Sequence, residues 1–415
     1  SAVLFCICFD CQRDNLRMTM MNPDTPLPHL GGLTATEFLR DYWQKKPLLV
    51  RNAFPELAWR LSPEDMMELA AEEGVEARIV LEQGKTPWEL RKGPFTTKQF
   101  KQLPKSHWTL LVQAVDHYLP ELADYLEHFS FVPNWRIDDI MVSYAVEGGS
   151  VGPHYDQYDV FLIQGIGQRR WQLGQQCDEQ SPRVAGTRLR ILQQMDVVFD
   201  EVVNAGDMLY VPPGMAHNGV AQNECMTFSI GFRAPVLAHL LERVVDQVLE
   251  QSGSGRLVSD AGRPVAVHPG ALTEHDLERL RAQLLGLLDN REAMTAALAP
   301  FLSEAKYEDY EPQGQEMSAA EIREAVQGGA LLRRDPASRC LYTEAGEQPE
   351  QLFVNGQVIE VPVGIAPLVR LLADQRCLTA RELASWLEQP ETLDWLQGQI
   401  AAGHWFLELD DDDAV

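Results

Sequence analysis

Residues 152–174, GPHYDQYDVFLIQGIGQRRWQLG, contain the pattern that decides the fold of the chain. Short apolar runs alternate here with glycine-rich turns, which is typical of β-strands joined by hairpins. Many short strands at this spacing predict a small barrel or jelly roll between Trp135 and Arg233. The predicted strands are 140–146, 159–164, 170–173, 196–199, 208–212 and 226–232.

Helical patterns flank the predicted barrel on both sides. On the N-terminal side we expect helices at 34–46, 62–73 and 108–128. After Pro235 apolar residues recur at helical spacing, and a second striped helix follows Thr273. Such stripes need to be covered. Either a matching pair from a second subunit, giving a homodimer, or the chain's own domains could cover them.

A smaller α+β unit is predicted from residue 307 onward. A helix at 318–327 is followed by short strands between 329 and 361 and then by helices near 365–372, 379–389 and 391–402. That order resembles a winged helix. The predicted fold class is therefore mixed α+β, a jelly-roll or cupin-like double-stranded β-helix with a helical dimerisation region and a C-terminal winged-helix-like domain.

The predicted domain boundaries follow from these changes of pattern. A catalytic barrel with N-terminal helices is expected at 21–235, a helical dimerisation region at 236–306, and a winged-helix-like domain at 307–409. Residues 1–20 are predicted to be non-native or disordered, and 410–415 form an acidic tail.

The charge of the chain limits its partners. Its 415 residues include 61 acidic and 35 basic ones, which gives a formal net charge of −26. This balance disfavours DNA binding and favours a basic protein partner. No apolar stretch is long enough to predict a membrane span. Seven cysteines without regular spacing predict no disulfide framework and a reducing cytoplasm.

A candidate metal site lies in the segment quoted first. His154 and Asp156 are two positions apart in strand-like sequence, so both side chains leave the same face. A third ligand, His217, follows in VPPGMAHNG. Two histidines and one carboxylate leave three positions open on iron(II), which suits oxygen activation. His154 alone among ten histidines has an acid two positions later. The structural alternative is a pair of core histidines in a metal-free barrel.

A cosubstrate carboxylate would need a cation inside the barrel. Arg169 and Arg170 are adjacent on one predicted strand, so one of them points inward. Hydroxyls on strands expected to flank the same cavity could add hydrogen bonds, although a half-buried strand position explains each of them equally well. They are Ser143, Thr227 and Ser229.

Together with AGDMLYVPPGMAHNG (205–219) and FSIGFRAP (228–235), the opening segment resembles the JmjC-type 2-oxoglutarate oxygenases. Within them it is similar to the bacterial ribosomal oxygenases, which 3-hydroxylate an arginine of ribosomal protein L-sixteen. The resemblance runs from about Leu33 through the winged-helix-like unit. It implies that His154, Asp156 and His217 bind Fe(II) and act in catalysis. It also implies that Arg169 binds the distal carboxylate of 2-oxoglutarate, with O2 as the second cosubstrate.

The substrate is less well defined by the residues themselves. Carboxylates and aromatic faces suit a guanidinium, and the candidates are Tyr155, Tyr158, Asp159 and Asp139. Strand packing explains the tyrosines equally well. Other readings are a different JmjC oxygenase, such as a lysine demethylase or histidyl hydroxylase, and a non-catalytic cupin-like regulatory module. The complete triad and Arg169 disfavour the last of these.

Overall fold

The computed structural model describes residues 22–55, 61–252, 257–345 and 348–408. The predictions for 1–20 and 410–415 lie outside the described residues. The chain forms two compact units. Unit 1 runs to Ala234 and includes Gly328–Ala337 and the end of the described chain from Leu407. Unit 2 comprises Pro235–Gln327 and Ser338–Phe406. The predicted domain boundaries themselves stay predictions.

Unit 1 is built mainly from antiparallel strands. They are β1 (Leu48–Val50), β2 (Ala77–Gln83), β3 (Pro87–Lys92), β4 (Trp108–Val112), β5 (Ile137–Ala145), β6 (Val160–Ile166), β7 (Gln168–Gln176), β8 (Phe199–Asn204), β9 (Met208–Val211), β10 (Met215–Ala221) and β11 (Cys225–Phe232), with β12 (Leu331–Arg334) added from later in the chain. Its α-helices are α1 (Ala35–Asp41), α2 (Pro63–Leu69), α3 (Thr97–Lys101) and α4 (Pro120–Asp124).

Two sheets form the barrel. The larger has eight strands in the order β1-β9-β6-β11-β5-β4-β2-β3, and the smaller has three in the order β10-β7-β8. Side chains alternate between the faces of each strand. The inner faces enclose an apolar cluster that includes Leu162 and Leu209 from the large sheet and Trp171 and Leu173 from the small one. The barrel predicted from the spacing of short strands is confirmed.

The outer face of the large sheet carries the main core of unit 1. Helix α1 begins at Thr34, whose hydroxyl accepts from the backbone N–H of Glu37 while the Glu37 carboxylate accepts from the backbone N–H of Thr34. The helix presents Phe38, fully buried, to Tyr210 and Phe161, with ring centroids 5.1 Å and 5.6 Å away. This packing fixes the back of the sheet whose other face forms the site.

Two helix predictions need correction. Helix α1 ends at Asp41 rather than Lys46, because Gln44 adopts a left-handed conformation (φ 57°) and its N–H donates to the hydroxyl of Tyr210. The predicted helix at 108–128 begins instead as the strand β4, pairing with β2 and β5. All five residues of β4 are buried, and the run therefore lacks the alternation that identifies a half-exposed strand.

Unit 2 is mostly helical around a small sheet. Its helices are α5 (Leu237–Ser252), α6 (Glu274–Leu288), α7 (Arg291–Ser303), α8 (Ala319–Gln327), α9 (Ala366–Asp374), α10 (Ala380–Leu383) and α11 (Pro390–Ala401). Its strands are β13 (Cys340–Ala345), β14 (Gln348–Val354), β15 (Gln357–Ile359) and β16 (Cys377–Leu378), and β17 (Trp405–Glu408) closes the described chain. Strands β13, β14 and β15 form an antiparallel sheet. No helix in the described part of the chain is long and apolar enough to cross a membrane.

A buried histidine makes unit 1 sensitive to acid. His29 is 5% exposed among aromatic rings, and burial, with a smaller effect of His128, lowers its pKa to about 3. In the unfolded chain the imidazole of His29 binds a proton below about pH 6.5. The folded chain does so only near pH 3. The contribution of neutral His29 to the free energy of unfolding is therefore complete above about pH 6.5 and decreases as the pH falls. At about pH 5 the loss is about 2 kcal/mol.

We expect His29→Phe to reduce the slope of the free energy of unfolding against pH between about pH 6.5 and 4.5. Urea unfolding at several pH values measures this slope, with the exposed His107→Phe as the control. An unchanged slope in His29→Phe would show that His29 is not held neutral by the fold.

Candidate metal and cosubstrate site

The two candidate histidine ligands are held opposite each other by backbone hydrogen bonds. His154 and His217 form an isolated antiparallel bridge, in which each N–H donates to the other residue's carbonyl oxygen, at 3.0 Å and 2.8 Å. Between them in sequence, Gly214 N–H donates to the Asp156 carbonyl at 2.7 Å. The segment from His154 to Asp156 therefore runs in an extended conformation beside the start of β10. This pairing brings together three side chains that are far apart in sequence.

The ligand atoms converge. One nitrogen of each histidine and one carboxylate oxygen of Asp156 lie within 4.8 Å of one another. The Asp156 Oδ2 is 3.6 Å from His217 Nε2 and 4.0 Å from His154 Nε2. Each ring is oriented by its Nδ1, which lies 2.8 Å from the Gly152 carbonyl in His154 and 2.9 Å from the Met215 carbonyl in His217. Both Nε2 atoms are therefore available to one ion.

The environment keeps His217 neutral. Burial, with a smaller effect of His154, lowers the pKa of His217 to about 4 against the opposing effect of Asp156. A neutral imidazole is the form that binds a metal. Its ring also packs beside Trp171, with centroids 6.0 Å apart. Two histidines and one carboxylate at this spacing fit an iron(II) site with open positions.

Arg169 is a buried cation on the inner face of β7. It is 4% exposed, its Nε has no hydrogen-bond partner among the described residues, and its Nη2 lies 3.7 Å from the Cys225 sulfur. The neighbouring Arg170 points the other way, where it pairs with Asp200. An uncompensated guanidinium is costly to bury, so this part of the barrel is suited to an anion.

The three predicted hydroxyls lie on neighbouring strands. Ser143 and Thr227 are cross-strand partners on β5 and β11, and Ser229 is two residues further along β11. All three are buried. Gln164 fixes the role of Thr227: its amide donates to two backbone carbonyls, so its oxygen accepts the Thr227 hydroxyl proton at 2.9 Å. Thr227 can therefore accept a hydrogen bond from a ligand but not donate one.

The predicted substrate contacts divide into two groups. Asp139 lies on β5 beside the cavity, where its carboxylate accepts from Gln113 and from the N–H of Ala114. Tyr158 is 41% exposed, yet burial, with Asp156 and Asp139 nearby, raises the pKa of Tyr158, so its phenol is protonated at neutral pH. A carboxylate and a phenol close to the triad suit a cationic side chain.

Tyr155 and Asp159 have partners within the protein. The hydroxyl of Tyr155 accepts from Arg183 at 2.9 Å. Asp159 is fully buried, and its oxygens accept from Tyr210 at 2.7 Å and Gln44 at 3.0 Å. It faces the main core, on the side of β6 opposite the metal ligands. The prediction that Asp159 contacts the substrate is corrected: the residue ties the helical entry to the sheet.

Several residues of the site were missed from the sequence. Gln164 and Trp171 both lie on inner faces, and the alternation of the predicted strands 159–164 and 170–173 was a sufficient signal for each. Cys225 and Arg183 gave no such signal. Their positions depend on how distant segments pair, which the local pattern does not encode.

Two protein-family models match this chain. The JmjC domain matches residues 124–240, and the ROXA-like winged helix matches residues 286–406. A probable ribosomal oxygenase from Haemophilus influenzae is 38% identical over 375 residues, which cover 87% of this chain and 91% of the relative. The ribosomal protein uL16 3-hydroxylase of Escherichia coli is 34% identical over 374 residues, covering 90% and 97%.

A solved structure is similar along the same length. YcfD, a ribosomal oxygenase from Escherichia coli in complex with cobalt and 2-oxoglutarate, has a TM-score of 0.75 and 34% identity, covering 91% of this chain and 98% of that one. Fold and site thus define an oxygenase of the JmjC type. Within that class the chain belongs to the ribosomal oxygenase family. The resemblance identified from the sequence and the predicted winged helix are both confirmed.

Proposed function

We propose that this protein is an iron(II)- and 2-oxoglutarate-dependent hydroxylase that 3-hydroxylates an arginine side chain of ribosomal protein uL16. The observation that carries the proposal is the likeness to the uL16 3-hydroxylase of Escherichia coli along 90% of the chain. It is supported by the convergence of His154, Asp156 and His217 and by the buried guanidinium of Arg169, whose Nε has no partner among the described residues.

In this proposal His154, Asp156 and His217 hold the iron. The two Nε2 atoms and the Asp156 carboxylate supply three ligands, and the backbone carbonyls of Gly152 and Met215 hold the rings in place. With 2-oxoglutarate and O2, the iron supplies the oxidation: one oxygen atom enters a C–H bond of the substrate, and the other leaves in succinate as 2-oxoglutarate loses carbon dioxide. The three ligands take no part in binding the substrate.

Arg169 binds the distal carboxylate of 2-oxoglutarate. Its guanidinium offers donors in a fixed fork that matches a carboxylate. Thr227 can accept from this guanidinium, because its own proton is directed to Gln164. Ser229 is 7% exposed and makes no side-chain hydrogen bond to a described residue, and Ser143 makes a single long contact of 3.5 Å to the Thr227 carbonyl. These two serines are the hydroxyls able to donate to the cosubstrate.

Asp139 and Tyr158 receive the substrate side chain. Gln113 and the Ala114 N–H orient the carboxylate of Asp139, and a carboxylate suits a guanidinium. Tyr158 adds an aromatic face that a planar cation can stack upon. Tyr155 stays a weaker candidate, since its hydroxyl already accepts from Arg183. The net charge of −26 favours the approach of a basic ribosomal protein.

Oligomeric state and location are part of the same proposal. Leu237, Leu241, Val245 and Leu249 form an exposed stripe at four-residue spacing along α5, while Val244 and Val248 are buried. A second copy would cover this stripe in a homodimer. A ribosomal substrate and the free thiols of Cys177 and Cys225 support a cytoplasmic location.

The substrate assignment is tested by incubating the protein with purified uL16, Fe(II), ascorbate and 2-oxoglutarate. Tandem mass spectrometry should find one added oxygen on a single arginine, and no such product when 2-oxoglutarate is omitted. An unmodified uL16 under conditions in which the protein converts 2-oxoglutarate to succinate would show that the substrate is another one. A histone peptide and a second ribosomal protein serve as controls for demethylase or histidyl hydroxylase activity.

A further inference from the structure

Two segments of unit 1 have a charge opposite to that of the chain. Residues 84–107 and 181–195 together hold nine of the 35 basic residues but one of the 61 acidic residues. That acid, Glu89, is paired with Arg91, whose Nε lies 2.8 Å from its Oε1. These two segments therefore carry a net charge of +8, and the remainder of the chain carries a net charge of −34.

The two segments contact each other at Trp88. The hydroxyl of Thr187 donates to the Trp88 carbonyl at 3.3 Å. Both segments also meet at Gly152, which has a left-handed φ of 82°. A Cβ built there would lie 2.7 Å from Ile191 and 3.1 Å from the Trp88 ring. The glycine thus allows a close approach of both segments, and their positive charges share one region of unit 1.

This region adjoins the metal site. Leu192 N–H donates to the carbonyl of Pro153, the residue before His154, at 2.8 Å. Arg183 lies over the ring of Tyr155, with its guanidinium carbon 5.7 Å from the ring centroid. Any partner bound to these segments would therefore lie next to a substrate whose side chain enters the site.

Three cations around Trp88 are available to such a partner. Lys85, Arg188 and Arg190 are exposed, and none of them forms an ion pair with an acid among the described residues. Trp88 is half-buried. We call Lys85, Trp88, Arg188 and Arg190 the basic surface. Glu89, which pairs with Arg91, also accepts from the backbone N–H of Lys85 and is the described carboxylate near that lysine. In a chain with so many carboxylates, exposed cations outside any ion pair among the described residues point to an external anion.

We infer that the basic surface binds the phosphate backbone of ribosomal RNA next to the substrate protein. The inference rests on the proposed function. A basic ribosomal protein would be repelled by this surface and attracted by the acidic remainder of the chain. Ribosomal RNA is the polyanion to which such a substrate is attached. Unpaired lysines and arginines with an aromatic face are the usual means of holding an RNA strand.

The acidic remainder makes this binding directional. The negative net charge of the chain outside the two segments disfavours RNA there, so an RNA-bound uL16 would be held with the metal site facing the complex. The protein would then act on uL16 during or after its association with RNA, as well as on the free protein. Contact with phosphates also makes the binding strongly dependent on salt.

The experiment measures binding of a fluorescein-labelled fragment of large-subunit ribosomal RNA by anisotropy, at several KCl concentrations, without cosubstrate. The wild-type protein should bind it. We expect the triple variant Lys85→Glu, Arg188→Glu, Arg190→Glu to bind about tenfold more weakly or worse at about 0.1 M salt. The slope of log K against log salt should fall by about two to three units. The neutral triple variant with glutamine should be intermediate.

A matched control reverses three exposed cations outside these segments, Lys45, Arg281 and Arg381. It should bind RNA within about twofold of the wild type. Turnover of free uL16 should be unchanged in the basic-surface variant, which separates this inference from the proposed function. Equal RNA binding by wild type and charge-reversed variant would overturn the inference, as would absence of wild-type binding at low salt. So would a loss of turnover on free uL16, since the surface would then serve the protein substrate.

Discussion

Asp156→Ala and His154→Ala will each abolish conversion of 2-oxoglutarate to succinate and leave the fold intact. Each substitution removes one of three ligands, so we expect the affinity for metal to fall by more than about 100-fold. This loss exceeds the one expected from removing a residue that only orients a ligand. The side chains of His154 and Asp156 are each about a quarter exposed, so neither substitution leaves a large void in the core.

Two measurements check this prediction independently. Titration with Co(II), followed by its visible absorption, reports metal binding without turnover, and succinate formation reports activity. Thermal unfolding without metal should stay within a few degrees of the wild type. The control is Glu179→Ala, an exposed carboxylate outside the site. Co(II) affinity equal to the wild type in Asp156→Ala would remove Asp156 from the ligand set.

Arg169→Met will raise the KM for 2-oxoglutarate by about 10- to 100-fold, because a hydrogen-bonded charge pair contributes about 1.5–3 kcal/mol. Arg169→Lys keeps the charge but loses the planar fork, so we expect a rise of about tenfold. The value of kcat should change less than KM, since Arg169 is proposed to bind the end of the cosubstrate remote from the metal.

The neighbouring arginine provides the control for this prediction. Arg170 has the same charge and lies on the same strand but pairs with Asp200 on the outer face. Arg170→Met should therefore leave the KM for 2-oxoglutarate unchanged. Steady-state kinetics with varied 2-oxoglutarate at saturating uL16 measures both effects. If Arg169→Met and Arg170→Met gave the same KM, the carboxylate would be bound elsewhere in the barrel.

Much of the barrel was predictable because its strands have one face toward the core. In β5 and β11 the apolar residues alternate with polar ones, and the predicted strands at 140–146 and 226–232 overlap the observed ones. β4 was taken for part of a helix because it is buried on both faces and shows no alternation. β10 was not predicted, since Gly219 and Asn218 weaken its strand pattern and its pairing with β7 stabilises it.

The residues of the site were also only partly predictable from the local sequence. His154, Asp156 and His217 were identified from spacing and turn context, and the inward direction of Arg169 was one of two choices that alternation allowed. Asp159 was misplaced because it was chosen for its carboxylate alone, although alternation along the predicted strand 159–164 puts it on the face opposite Gln164. The role of Thr227 as an acceptor depends on the orientation of the Gln164 amide. That orientation is determined by the backbone carbonyls of Ile166 and Met226, to which the amide donates.

The central claim is that the protein transfers an oxygen atom from O2 to an arginine of uL16. The most direct test is to run the reaction under heavy-isotope oxygen gas in ordinary water and to measure the mass of the modified arginine peptide. We predict that the added oxygen carries the heavy isotope and that one succinate forms for each hydroxylated arginine. A product that carries oxygen from water, or succinate formation that uL16 does not increase, would contradict it.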